Sequence, residues 1–202
     1  MNRRVLAALA ALAVFGIGLL AGTSLRGGGD AQRTSPSAAD VGFSQDMIVH
    51  HQQAVTMVQL VRGKLSPQVD AAAEAIAADQ LREIGRMQGW LVLWEAPQIA
   101  EAPMSWMGGA HHHGETPMPG MASMPELNQL GSSTGTDADV VFLQLMIRHH
   151  QGGVDMAAAA AQQVSNPHVR DLANAVVAEQ QQEIGTLTLL LQQSGAQPLP
   201  AR

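Results

Sequence analysis

Two His-His-Gln triplets, His50–His51–Gln52 and His149–His150–Gln151, are the residues of this chain best suited to chemistry. Neutral imidazole ligates transition metals and exchanges protons near neutral pH. A second concentration runs from Met104 to Met124, MSWMGGAHHHGETPMPGMASM, with five methionines and the consecutive His111, His112 and His113. Met118, Met121 and Met124 spell M-x-x-M-x-x-M. Thioether sulfur is a soft neutral ligand that suits Cu(I), while imidazole suits Cu(II), zinc and nickel. Pro119 and Gly120 argue against a packed helix there, so these thioethers are expected to have no core to fill and to act as ligands. The alternative is a low-complexity linker whose histidines take up metal adventitiously. The chain has no cysteine, which excludes disulfides, thiolate sites and cysteine nucleophiles.

The elements that must position these residues come from a duplication. FSQDMIVHHQQAVTM, from Phe43 to Met57, matches FLQLMIRHHQGGVDM, from Phe142 to Met156. After a one-residue offset, Pro67, Val69, Gln80 and Glu83-Ile84-Gly85 correspond to Pro167, Val169, Gln180 and Glu183-Ile184-Gly185. Each unit reads as two helices, the first over about 40–62 and again over about 137–163. Ser66-Pro67 and Asn166-Pro167 mark the breaks, with Ser or Asn capping and Pro at the first helical position. The second helices run to about Glu95, before Pro97, and to about Gln193, before Gly195. The expected fold is all-α: a ferritin-like four-helix bundle of two duplicated hairpins, 40–95 and 137–195, joined by the Met/His-rich segment 96–136. A connection of that length is either functional or disordered.

On the first helix Phe43, Met47, His50, Ala54, Met57 and Val61 form one inward stripe, with His51 about 100° away at its edge. Phe142, Met146, His149, Gly153 and Met156 repeat it, with His150 at the edge. On the second helices Glu83 and Gln80, and Glu183 and Gln180, fall within apolar stripes. A buried carboxylate must be paired, hydrogen-bonded or coordinating. The chemical expectation is metal ligation by the inward histidines and methionines, with Glu83, Glu183, Gln80 and Gln180 supporting the ligands from behind. The plainer alternative is a His–Glu network that fixes the register of the bundle, with methionine as core filler.

Hydrophobic residues make up 46% of the sequence but aromatics only 3%, a balance that favours helices over sheets. A net charge of −6 with few basic residues argues against a nucleic-acid surface. No Ser-His-Asp arrangement, phosphate-binding glycine loop or zincin motif is present. Arg3 and Arg4 precede an uncharged apolar run from Val5 to Gly22, the layout of an export signal. As a helix this run would be about 27 Å long, just short of the hydrocarbon slab of a bilayer. It lacks a clean A-x-A site, so a membrane-anchoring helix is preferred to a cleaved signal. Residues 23–39 would then be a flexible tether, with everything beyond them outside the cytoplasmic membrane.

The paired motifs F-x-x-x-M-I-x-H-H-Q-x-x-x-x-M and Q-x-x-E-I-G resemble the bacterial domain of unknown function family number 305, over about 40–95 and 137–193. The resemblance implies a secreted or membrane-anchored, ferritin-like four-helix bundle. It further implies copper binding and copper tolerance through His and Met, which carries over to Met47, His50, His51 and Met57 and to Met146, His149, His150 and Met156. One departure counts against di-iron oxidase chemistry: Arg86 and Thr186 stand where a Glu-x-x-His ligand pair needs histidine. The expected role is therefore copper sequestration or handover, with a copper-handling protein as partner. Another transition metal, a metal-dependent redox enzyme and a metal-free helical partner-binding domain are the alternatives.

Overall fold

Serine and proline set where the helices of this chain begin. The computed structural model describes residues 35–107 and 118–200, and residues 36–202 form one unit. In it, helices α1 (Ala38–Leu60) and α2 (Pro67–Leu93) make the first hairpin. A short helix α3 (Met124–Ser132) follows, and α4 (Thr136–Gln163) and α5 (Pro167–Gln193) make the second hairpin. Among the described residues between α2 and α3, Ser105–Met107 form a 3-10 turn. All regular structure among the described residues is helical, and none of those helices is long and apolar enough to cross a membrane. The apolar run 5–22, most of the tether and His111, His112 and His113 lie outside the described residues.

Helix α1 starts two residues before Asp40, because Ser37 and Asp40 form a capping box. Pro67 and Pro167 open α2 and α5. Asn166 caps α5 by accepting from the His168 N–H at 2.9 Å. Ser66, by contrast, makes no side-chain cap bond. Its own N–H donates at 2.9 Å to Asp139 Oδ1, from the start of α4. The equivalent aspartate, Asp40, accepts from the N–H groups of Ser165 and Asn166 and from the Ser165 hydroxyl. Each hairpin's first helix thus clasps the helix turn of the other. These bonds, with those from Ser37, outweigh burial and hold the Asp40 carboxyl below its ordinary range.

The described parts of the segment between the hairpins, 96–107 and 118–135, lie against the bundle, where thioethers with no core to fill are expected from the sequence. Ser123 and Glu126 make a second capping box that starts α3, with Pro125 in its first turn. Buried Asp46 accepts from the Met104 N–H and from Trp106 Nε1–H at 2.7 and 2.8 Å. Trp106 lies edge-on to Phe43, with ring centroids 5.7 Å apart. A Cβ on Gly42 would collide with that indole, so glycine is what lets it seat.

The core divides into two apolar clusters. One holds Met57 and Met146 with Val61, Phe142 and Leu191. The other holds Met47 and Met156 with Phe43, Met87 and Val176. Since Met47 groups with Met156 and Met57 with Met146, α1 and α4 pass in opposite directions. All four methionines are fully buried, each stabilising the fold by about 1.5–3 kcal/mol through removal from water. The histidines occupy the stretch of α1 and α4 between the two clusters.

Candidate metal centre

His50, His51, His149 and His150 are each 0% exposed. His50 and His149 face one another across the α1–α4 contact, with ring centroids 3.8 Å apart and planes inclined by 32°. The edge position expected for His51 and His150 does not leave them at the surface. Each turns towards its own second helix, where a glutamate covers it: His51 Nε2 lies 2.7 Å from Glu83 Oε2, and His150 Nε2 lies 2.9 Å from Glu183 Oε2.

Every one of these rings commits Nε2 to an oxygen. His149 Nε2–H donates to the backbone carbonyl of His50 at 3.0 Å, and His50 Nε2–H donates to the carbonyl of Pro119 at 3.0 Å. A carbonyl only accepts, so the proton sits on Nε2 in both rings. A glutamate in its carboxylate form sets the same tautomer in His51 and His150. The consequence is common to all four: Nδ1 is buried and has no hydrogen-bond partner. Burial, reinforced by the neighbouring imidazoles, pushes His50 and His51 down to about 3 and His149 well below its ordinary 6.5. Those three rings are therefore neutral. Burial and the nearby Glu183 push Glu83 up to about 7. Burial together with Glu83 and Glu183 also raises Glu179, so carboxylates gather where α2 meets α5.

Four buried imidazoles with Nε2 engaged by oxygen and Nδ1 free have the donor chemistry of metal-ligating histidine, whose second nitrogen is usually tied to a carbonyl or carboxylate. Thioethers of Met47 and Met156, and of Met57 and Met146, belong to the clusters on either side. Among the described residues, no three His, Asp or Glu side chains are gathered closely enough to hold an ion by themselves. The donor set thus fits a soft ion that accepts thioether as well as imidazole, rather than a hard ion needing a ring of oxygens.

The remaining sequence candidates fall in different places. Gln80 and Gln180 are buried, and neither Gln80 Oε1 nor either carboxamide atom of Gln180 has a hydrogen-bond partner. Met118, with Met104 and Met107, packs partly buried against the core, so core packing accounts for thioethers that were expected to have no core to fill. Met121 is half-buried, whereas Met124 opens α3 and is 67% exposed. Sequence reasoning missed Asp40, Asp139, Gln53, Glu126 and Arg148. Gln53 grips both the N–H and the carbonyl of Ala122, at 2.6 and 2.9 Å. Arg148, 2% exposed, forks onto both oxygens of Glu126 at 2.8 and 2.9 Å. The patterns Ser37-x-x-Asp40 and Ser123-x-x-Glu126 are the signals that could have found the two caps.

Comparison with known proteins adds to this geometry. The fold is similar to that of a DUF305 protein from Streptomyces coelicolor, at 40% identity and a TM-score of 0.74, covering 80% of this chain and 96% of that one. A DUF305 fragment from Deinococcus radiodurans is similar at 29% identity and a TM-score of 0.65, over 78% and 98%. CopM in its Cu(II)-bound form is similar at 27% identity and a TM-score of 0.59, over 76% and 96%. Its Cu(I)-bound form gives 26% identity and a TM-score of 0.58. No protein of curated function matches the chain. Residues 40–191 match the profile of DUF305, a domain of unknown function, and the chain belongs to that family.

Proposed function

We propose that this domain binds copper, in sequestration or handover rather than catalysis, with the histidine layer as its site. The observation that carries this reading is the set of four buried Nδ1 atoms without partners. A layer kept only for register would satisfy its polar atoms, since each unmet buried acceptor costs about 1–3 kcal/mol. Ligation of a cation gives those lone pairs a use that the metal-free alternative does not. The methionines on both sides favour Cu(I), and the similarity to CopM, a protein with Cu(II)- and Cu(I)-bound forms, supports copper as the metal.

In this reading His50, His51, His149 and His150 offer Nδ1, and Met47, Met57, Met146 and Met156 offer thioethers. Glu83 and Glu183 hold His51 and His150 in the ligating tautomer. Gln80 and Gln180 lie alongside as further polar neighbours. Met118, Met121 and Met124, with His111, His112 and His113, would collect the ion before it enters. The export-type start of the chain supports a role outside the cytoplasmic membrane, through an anchor or a signal at residues 5–22, with a copper-handling protein as the receiving partner in this reading.

A competition titration of the full chain with Cu(I) tests the proposal. The expected result is tight binding that His50→Ala with His149→Ala abolishes in the bundle, while Met118→Leu, Met121→Leu and Met124→Leu lower stoichiometry without unfolding the protein. Full retention of bundle-bound Cu(I) in the double histidine variant would overturn the assignment.

A further inference from the structure

The duplicated first helices differ along one face. Positions 42, 46, 49 and 53 of α1 are Gly, Asp, Val and Gln, whereas their equivalents 141, 145, 148 and 152 of α4 are Val, Leu, Arg and Gly. The spacing of four, three and four makes each set a single stripe. Beside it, Phe43, Met47, His50, His51 and Met57 are identical to Phe142, Met146, His149, His150 and Met156. On both helices the changed stripe is where the linker lies. Its last part, residues 118–126, is a strap that crosses the histidine layer.

Five contacts fasten the strap. His50 Nε2–H donates to Pro119 O, and Gln53 holds Ala122 at both backbone atoms. Gly152 has no room for a Cβ against the Pro119 carbonyl, and Gly120, at φ 76°, presses onto the backbone of Arg148 and His149. Beyond them the buried Arg148 guanidinium forks onto Glu126. A buried arginine in a core helix is costly without such a partner, and its duplicate position holds valine.

From this arrangement we propose that Arg148, Glu126 and Gln53 are positioning residues that control access to His50 and His149 by clasping the strap over them. Releasing the clasp frees Pro119 from His50 and opens the α1–α4 side of the layer. The copper role of the layer is taken from the function proposed above, but access itself is measurable without metal.

The test is carbethoxylation of the metal-free full chain with diethyl pyrocarbonate, each histidine followed by peptide mass and normalised to exposed His168. In Glu126→Ala the rates at His50 and His149 should rise about tenfold, as for one charge-assisted clasp lost from a local opening equilibrium. His51 and His150, covered by glutamates of α2 and α5, should rise less. Arg148→Lys should give an intermediate rate, and Gln53→Ala, at the other end of the clasp, should raise the rate as well. Stopped-flow Cu(I) uptake should accelerate in parallel with little change in final affinity. A uniform rise at all four histidines, or no rise at His50 and His149 in any of the three clasp variants, overturns the proposal. That failure leaves Cu(I) binding by the wild type intact, whereas absence of Cu(I) binding would remove the copper reading and leave the access result standing.

Discussion

Helices α1 and α4 descend from one sequence, yet they have kept one face and remade another. The kept face carries the paired phenylalanines, methionines and histidines, all fully buried. The remade face holds the linker: Asp46 and Gln53 grip it from α1, and Arg148 and Gly152 receive it from α4. Symmetry therefore survives where two equivalent rings must meet across the bundle axis, and it is lost where a single strap lies over both. The histidine layer is a property of the duplication. Its cover is a property of the asymmetry added afterwards.

The largest effect should come from removing the kept face. His50→Ala with His149→Ala opens a cavity in a close-packed layer, and unfolding by denaturant should show a loss of about 4 kcal/mol or more. Next are the two interhairpin clasps, which are symmetric in position but not in strength. Asp40 accepts three bonds from the opposite hairpin and Asp139 accepts one. Asp40→Ala should cost about 2–3 kcal/mol and Asp139→Ala about 1 kcal/mol in the same measurement. Equal losses would mean that the clasps do not differ as their geometry states.

The remade face gives a smaller contrast. Gly152→Ala drives a methyl into the Pro119 carbonyl and should destabilise by about 1–3 kcal/mol. The cost should appear together with faster amide exchange at Gly120 and Ala122. At Gly85 and Gly89 of α2 a Cβ meets nothing within 4 Å. Alanine at each of those positions should raise stability by about 0.5–1 kcal/mol, seen as a higher thermal midpoint.

Acid should act through the kept face. His50, His51 and His149 have folded pKa values below 6.5. Their contribution is complete above pH 6.5 and is lost as pH falls towards about 3. Glu83 acts in the opposite sense. Its folded value is raised from 4.5 to about 7, so it favours the fold at low pH and loses that benefit as pH rises through 7. Three histidines outweigh one glutamate, so the thermal midpoint of the metal-free protein should drop between pH 7 and pH 5. Glu126, held at about 2 chiefly by its bond to Arg148, adds a second loss as pH falls below 4.5. A flat midpoint across the upper part of that range would contradict the buried, neutral state of the rings.

Much of this architecture was legible in the sequence because periodicity reports burial. The stripe through Phe43, Met47, His50 and Met57 placed His50 and His149 inside, and Pro67 and Pro167 marked the hairpin turns. Periodicity says nothing of what leans over an edge, so His51 and His150 were placed at a margin that Glu83 and Glu183 in fact close. The linker was hardest to read because its fold rests on long-range partners. Trp106 needs Asp46 and the gap at Gly42, and α3 needs Arg148 to anchor Glu126. None of those pairings has a local signature beyond Ser123-x-x-Glu126. The thioethers of Met104, Met107 and Met118 were read as exposed for the same reason, since their core lies on other elements.

If the histidine layer is the copper site, it must offer Nδ1 to a Cu(I) ion while oxygen retains each Nε2–H. Long-range ¹⁵N–¹H NMR of the imidazoles during a Cu(I) titration separates the two nitrogens of every ring. The Nδ1 resonances of His50, His51, His149 and His150 should shift while their Nε2 nitrogens keep their protons. Shifts confined to His168 and the His111–His113 run, with the four buried rings unmoved, would contradict that assignment.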